Sequence, residues 1–471
     1  MREDGCTVVF DVGKTNAKLT LWDAQGRCLE RRTRPNVALS VSGYRTLDAQ
    51  GLDEWLALTL RELTRIAGIS TIIPVAHGAA AVLVHGERLF TAPMDYEDEP
   101  ARGERQTYDT QRDAFAHTGS PALPQGLNLG MQLHRLEVLT GPWPEELRIL
   151  LWPQYWAWRL CGVMASEVTS LGCHSDLWRP LERRYSDLAI RRGWARRVPP
   201  QRHAREALGP VTEEWITRTG LPRDCVVLCG LHDSNSALLA ARGHAEIVTN
   251  DATVLSTGTW FVAMRSPAAG TTVDTSALAE ARDCLINVDV QGAPIPSARF
   301  MGGREAELLA GLDIHALTRN YDPQRLIARL PAVLKDGAAA FPSFTHGCGP
   351  FPDAVGEWHN KPAEPGDQRA ITGLYLALMA DASLTLIGSR ERLLIEGRFA
   401  EAVIFVRALA ALRPHQKVFV SHAHNDVPYG ALRLIYPDLA PPSPLTQVEA
   451  LDVDFRELAD AWRAHAARSI Q

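Results

Sequence analysis

The sequence predicts an α/β protein made of two related halves. Three observations carry this reading. The chain opens as strand, strand, strand, helix, strand, the start of an α/β layer. A second start near residue 250 repeats the pattern of the first. With 471 residues, 46% of them hydrophobic, the chain can bury large cores without disulfide or metal staples.

The elements follow in order. TVVFDVG, at 7–13, is an apolar run ending in a turn at Gly13-Lys14-Thr15. AKLTLWD alternates, Asp23-Ala24-Gln25-Gly26 turns the chain, and RCLERRT returns. Over 53–68, Leu56, Leu60, Leu63 and Ile66 recur at helical spacing, with Asp53 as the expected cap and Gly68 as the expected stop. TIIPVAHG is a buried strand running into a loop. The middle is rich in tryptophan, with helices expected over 128–140 and 153–162 and loop over 170–203. DCVVLCG, at 224–230, is a buried strand entering His232-Asp233-Ser234-Asn235, which can cap the helix SALLAARG. At 250, NDATVLSTGTWFVAMRS gives a strand, a tight glycine turn flanked by hydroxyls, and a second strand, as FDVGKTNAKLTLWD does earlier. Helices are expected over 370–387, 400–412, 427–436 and 451–468, with a strand at KVFVS, 417–421. The helix end near Arg242-Gly243 sets the expected boundary, giving domains 1–243 and 244–471.

Composition excludes several classes. Lys and Arg number 49 and Asp and Glu 55, a net charge of −6 with no basic block, so neither nucleic acid nor an anionic membrane is an expected partner. The eight cysteines form no CxxC pair, and Cys225 and Cys229 sit in an apolar run. MREDGCTVVF has no apolar core of a secretory signal, and no stretch approaches 18 apolar residues. A reduced, cytoplasmic protein is expected.

Two segments carry candidate chemistry. Asp11-Val12-Gly13-Lys14-Thr15-Asn16-Ala17-Lys18 ends in GKT, but position 8 is Val where a Walker A loop needs Gly. The alternative is a β-hairpin that cradles phosphate: Gly13 admits close backbone approach, Lys14, Thr15 and Asn16 offer donors, and Asp11 could face a hydrated magnesium ion. An ordinary hairpin turn is the competing reading. A second hydroxyl-and-glycine hairpin at Ser256-Thr257-Gly258-Thr259 favours the phosphate reading. The second segment is Gly230-Leu231-His232-Asp233-Ser234-Asn235. A carboxylate at the mouth of an α/β strand is placed to act on a ligand, and Asp233 could take the proton of an attacking hydroxyl. The competing reading is a plain helix cap.

These residues carry a resemblance. DVGKTN at 11–16, AHGA at 76–79, WPQYWAWRLCG and SEVTSLGCHSDLW within 152–178, GLHDSNSA at 230–237 and STGTW at 256–260 come in the order and spacing of the FGGY carbohydrate kinases. The chain resembles that family over nearly its whole length, and the His-Asp pair and STGTW resemble rhamnulokinase and L-fuculokinase-like members. The resemblance implies two ribonuclease-H-like domains of the actin, sugar kinase and heat-shock ATPase superfamily with an interdomain cleft. Sugar would bind mainly the N-terminal domain, 1–243, and ATP with magnesium mainly the C-terminal domain, 244–471. It implies Asp233 as the catalytic base and Asp11 near magnesium. Gly13, Lys14, Thr15 and Lys18 would form the first phosphate loop, and Thr257, Gly258 and Thr259 the second. His77, Gly78, Gln132, His174, His232 and Asn287 would line the sugar pocket. The implied reaction is phosphorylation of a ketose or deoxyketose, of L-rhamnulose or L-fuculose type, with xylulose, ribulose or a tetrulose as alternatives. A sugar-binding regulator without catalysis is the reading from another class, and a homodimer stays open.

One departure stands out. Where the family places a glycine-rich stretch under adenosine, this chain reads KVFVSHAHNDVPYGAL, so Ser421 to Asn425 replace the glycines, and Asn425 is the expected contact there. Gly302 and Gly303 of FMGGRE could supply backbone approach instead, and IEGRF precedes the altered strand. His422 and His424 form an HxH pair without further ligands in view. Trp152, Trp156 and Trp158 are expected in the core, Cys173-His174 is expected to be structural, and Arg183, Arg184, Arg191 and Arg192 are expected on a solvated face.

Overall fold

The protein is described by a computed structural model covering residues 5–41, 43–311, 321–421 and 426–468. It divides into two compact units. The first holds the described parts of Met1–Gly243, Ile286–Pro294 and Asn425–Ala440, and the second those of His244–Leu285, Ile295–His424 and Pro441–Gln471.

The sheet of the first unit runs in the order Ala207–Pro210, Val226–Leu228, Ile69–Ala76, Cys6–Val12, Asn16–Trp22, Cys28–Pro35, with Leu231–His232 also paired to Ile69–Ala76. Cys6–Val12 is buried at every position, as a central strand covered on both faces must be. It is antiparallel to Asn16–Trp22 and parallel to Ile69–Ala76. The register sets the functional edge. Asp11 pairs with Val75, which pairs with Leu231; Val12 pairs with Ala76, which pairs with His232. The next residues along the three strands are Gly13, His77 and Asp233, so all three emerge at one carboxyl edge, where open α/β sheets bind ligands.

Two sequence expectations shift. The first helix spans Ala49–Leu63, and its cap is Asp48, whose carboxylate accepts from the Gly51 N–H at 2.9 Å. Asp53 lies inside the helix and pairs instead with Arg159 and Arg218 at 3.0 and 2.6 Å, so its charge serves packing rather than capping. The helix also stops before Gly68. Residues 170–203 contain structure too: a hairpin of Trp178–Arg179 with Arg184–Tyr185 and a short helix Asp187–Arg191, elements too brief to leave a period in the sequence.

The second unit repeats the plan. Pro294–Phe300, Phe261–Ser266, Ala252–Thr257, Arg392–Gly397 and Lys417–Val420 are neighbours in that order. Ala252–Thr257 is antiparallel to Phe261–Ser266 and parallel to Arg392–Gly397, as Cys6–Val12 is to its own neighbours. This is the mixed order of a ribonuclease-H-like domain, present twice. Its core is formed by the long helix Pro365–Leu386 with Phe261, Phe300, Phe399 and Phe405. Among the described residues no helix is long and apolar enough to cross a membrane.

Candidate active site

In the first unit the carboxyl edge gathers Asp11, Lys18, His77, His232 and Asp233. Asp11 is 3% exposed. Burial pushes its carboxyl up to about 6, with Lys18 opposing and the Asp233 charge adding to the rise. Lys18 faces Asp11 across the hairpin, Nζ to Oδ2 at 3.4 Å. Gly13 presents its carbonyl to the Asn36 amide at 2.7 Å, and the Asn36 N–H donates to the Thr15 carbonyl at 2.8 Å. Thr15 is exposed at the tip.

Lys14 does not project freely. Its ammonium binds Asp95, lies 3.4 Å from Glu97 and sits 4.6 Å above the ring of Tyr96. Asp95 has no exposed side chain and also accepts from Arg45 at 3.0 Å. Burial raises the Asp95 carboxyl, but the Glu97 N–H and the two cations outweigh it and hold it below the usual range. Gly13, Lys14, Asn36, His77, Asp95 and Trp152 line one small cavity. Asp95 and Tyr96 were missed by the sequence reading; the acidic run DYEDE between Pro93 and Pro100 was the signal available.

His77 donates its backbone N–H to Val12 and turns its ring edge-on to Tyr96 at 5.6 Å. Burial lowers its pKa, against the Gly78 carbonyl and the Asp233 charge. Gly78 is a close approach: a Cβ there would lie 2.6 Å from Cys173 Sγ and 2.9 Å from His232 Nε2. Gln132, fully buried, donates to the Ala79 and Gly126 carbonyls at 2.6 and 2.7 Å and so holds the loop after Gly78. His174 has φ 36° and bonds the Leu127 carbonyl at 2.7 Å. Asn287 reaches this unit on the segment Ile286–Pro294, where the Ile286 N–H donates to Gly119 and Val288 packs on Gly172.

Burial pushes the His232 imidazole down to about 4, so it is neutral at pH 7. Its Nε2 lies 3.2 Å from Asp233 Oδ1 and 3.4 Å from Cys173 Sγ, and its Nδ1 faces the Asn235 carboxamide at 3.1 Å. Asp233 is the first residue of the helix Asp233–Ala241, not its cap; His232 holds the cap position without a side-chain bond. Asp233 Oδ1 accepts from the Ser234 N–H at 2.6 Å. Burial raises the Asp233 carboxyl, with His77 and the Ser234 N–H opposing. A carboxylate raised by burial at the mouth of three parallel strands suits a general base.

In the second unit Thr257 uses its hydroxyl internally: it donates to the Glu396 carbonyl at 2.5 Å and accepts from the Phe399 N–H at 3.0 Å. Gly397, at φ 82°, lies so close that a Cβ would meet the Thr257 carbonyl at 2.3 Å. Gly258 donates to the Trp260 carbonyl at 3.0 Å. Gly303 donates to the Thr259 carbonyl at 3.2 Å, and Gly302 rests on the Phe261 ring, where a Cβ would be 2.6 Å away. The two glycines open the helix Gly302–Ala310, so the Ser256–Thr259 turn, that helix start and the Glu396-Gly397 turn adjoin. Asn425, with His422 and His424, lies outside the described residues. Trp152 and Trp156 are fully buried and Trp158 nearly so. Arg183, Arg184 and Arg191 are exposed, while Arg192 is partly buried against Glu137.

Residues 249–443 match the carbohydrate kinase FGGY C-terminal domain. No curated protein sequence matches. The solved structure of a carbohydrate kinase from Novosphingobium aromaticivorans is 50% identical, covers 98% of this chain and 100% of its own, and superposes with a TM-score of 0.93. The ligand-bound xylulose kinase from Lactobacillus acidophilus gives 0.77 at 13% identity over 99% of this chain and 97% of its own. The glycerol kinase from Plasmodium falciparum with ADP gives 0.76 at 11% identity over 99% of each chain. The last two show a shared fold.

Proposed function

Since the chain belongs to the FGGY carbohydrate kinase family and is a sugar-kinase phosphotransferase, we propose that it uses ATP to phosphorylate a hydroxyl of a ketose or deoxyketose, with Asp233 as general base. The observation that carries this is the half-buried Asp233, its carboxyl raised, beside neutral His232 and lowered His77 at one strand edge. His232 Nε2 lies 3.2 Å from Asp233 Oδ1, which sets a neutral imidazole beside the carboxylate, while the Ser234 N–H holds that oxygen; Oδ2 then takes the proton of the attacking sugar hydroxyl. His77, Gly78, Gln132, His174 and Asn287 form the sugar side, the first and last through polar side chains and Gly78 by leaving room for the Cys173 and His232 side chains. Asp95 and Tyr96 extend that side.

Bound ATP with magnesium would supply the phosphoryl group and the countercharge on its oxygens. Asp11 fits a cation: the charge of half-buried Asp233 helps raise the buried Asp11 carboxyl, and a divalent ion would relieve that repulsion. Among the described residues no group of three His, Cys, Asp or Glu could hold a metal, so one or two carboxylates, waters and phosphate oxygens would serve, as magnesium prefers. Lys14 is committed to Asp95, which leaves Lys18 and the Gly13–Thr15 amides for phosphate on this side. In the second unit the Gly258, Thr259, Gly302 and Gly303 backbone is the matching element, with Thr257 shaping it. Asn425 remains our proposed adenosine contact.

For the sugar, the His232-Asp233 pair and STGTW favour an L-rhamnulose or L-fuculose type. Xylulose is the second reading, on the fold shared with xylulose kinases. A panel of ketoses with ATP and magnesium, read by ADP release, decides between them. Folded protein that releases ADP with no ketose in the panel would refute the reading.

A further inference from the structure

The strand that delivers Asp233 is only two residues long. Leu231–His232 pairs with Val75 and Ala76, and Gly230 before it, at φ 78°, breaks it from Val226–Leu228. So short a ladder cannot by itself hold a side chain to the tolerance that proton transfer needs. Two side chains from elsewhere complete the hold. The Gln154 amide, fully buried, donates to the Cys229 and Gly230 carbonyls at 3.1 and 3.2 Å. The Thr169 hydroxyl accepts from the His232 backbone N–H at 3.0 Å. That hydroxyl has one proton, and it gives it to Glu167 Oε2. Oε2 also accepts the Thr169 and Ser170 N–H groups, so it acts as the acceptor oxygen whether or not Oε1 carries a proton, and it fixes which way the hydroxyl points and keeps its lone pair toward His232.

Glu167 is wholly buried, and its other oxygen, Oε1, is buried without a hydrogen-bond partner among the described residues. It also accepts the Thr169 and Ser170 N–H groups at the start of the four-residue helix Val168–Leu171. Capping alone does not require this group. Burial pushes its carboxyl up to about 7, so an ionised Glu167 costs stability that a neutral Ser or Asn cap would not.

We propose that Glu167 and Thr169 are positioning residues: Glu167 orients the Thr169 hydroxyl, which clamps the His232 backbone and thereby sets Asp233 at the strand mouth. This rests on Asp233 being the base. The test uses the full chain with ATP and either D-xylulose or L-rhamnulose, and amide hydrogen exchange read separately. Thr169→Val, which keeps the shape and removes the hydroxyl, should lower kcat by ~10–100-fold with the sugar KM changed by no more than about twofold. Thr169→Ser should recover most of the loss. Glu167→Gln should lower kcat in the unaltered chain but add nothing on top of Thr169→Val, because one relay can be broken only once. Exchange at the His232 amide should quicken about tenfold in Thr169→Val while helix Trp152–Cys161 is unchanged. Unchanged kcat with unchanged His232 exchange overturns the proposal. If Thr169→Val does not fold, Glu167→Gln carries both measurements with the same outcomes. A fully active Asp233→Asn would instead sink the base assignment, and the exchange result would still decide the clamp.

Discussion

Asp11, buried, and Asp233, half-buried, are two neighbouring carboxylates with opposite expected readouts. As the base, Asp233 must be ionised, and burial has raised its pKa. The acid limb of kcat/KM should therefore lie above the ~4 of an ordinary carboxylate, and a pH–rate profile with a limb at or below that value would argue against the assignment. Asp233→Asn should cut turnover by roughly 10²–10⁴-fold with sugar binding retained in calorimetry. Asp11 speaks to stability. Its folded pKa of about 6 lies above the unfolded value near 3.8, so the folded state binds the proton more tightly and ionisation works against the fold. The penalty is absent below pH ~4, grows between the two values and is complete above about pH 6, reaching about 3 kcal/mol. Asp11→Asn should thus raise the melting temperature of the ligand-free chain at pH 8 and leave it unchanged at pH 4; an equal shift at both would refute this.

At the scale of elements, close backbone approach decides which substitutions the fold tolerates. The helix Asp426–Leu432 packs on the helix Asp233–Ala241, and a Cβ on Gly430 would lie 1.7 Å from the Ser236 carbonyl. Two backbones cannot yield as a flexible side chain can. Gly430→Ala should cost about 3 kcal/mol in urea unfolding. Gly68→Ala, with nothing near its Cβ, should change stability by less than about 0.5 kcal/mol. A similar loss in both would remove helix contact as the cause. This contact also explains what the sequence could and could not reveal. The strands beside Gly13 and Gly258 were readable from apolar runs and turn residues. The association of Ile286–Pro294 and of the described part of Asn425–Ala440 with the first unit was not, because no local period records a contact between segments this far apart in the chain.

Across the whole molecule, thiol chemistry gives a direct check. None of the eight cysteines is in a disulfide, and Cys28 alone is exposed. Native protein should react with about one equivalent of a thiol reagent and denatured protein with eight, and a reductant should leave the melting temperature unchanged. Several fast-reacting thiols in native protein would contradict the burial of Cys173 and Cys229. The net charge of −6 has a related meaning. An anionic nucleotide gains little from the overall field, so its attraction must come from local groups such as Lys18 and backbone amides.

The order of strands, turns and carboxylates determined a twofold α/β chain with an aspartate at a strand mouth, because periodicity and turn chemistry act within a few residues; the kinase reading came from the resemblance of its motifs to the FGGY family. Tertiary structure alone decided the rest. It gave Lys14 to Asp95, 81 residues away, set Asp48 rather than Asp53 as a cap, engaged the Thr257 hydroxyl with Glu396 and Phe399, and joined Glu167 and Thr169 to His232. Such pairs depend on which buried polar groups packing brings within 3 Å or so of each other, and a buried group must take the partner that packing provides.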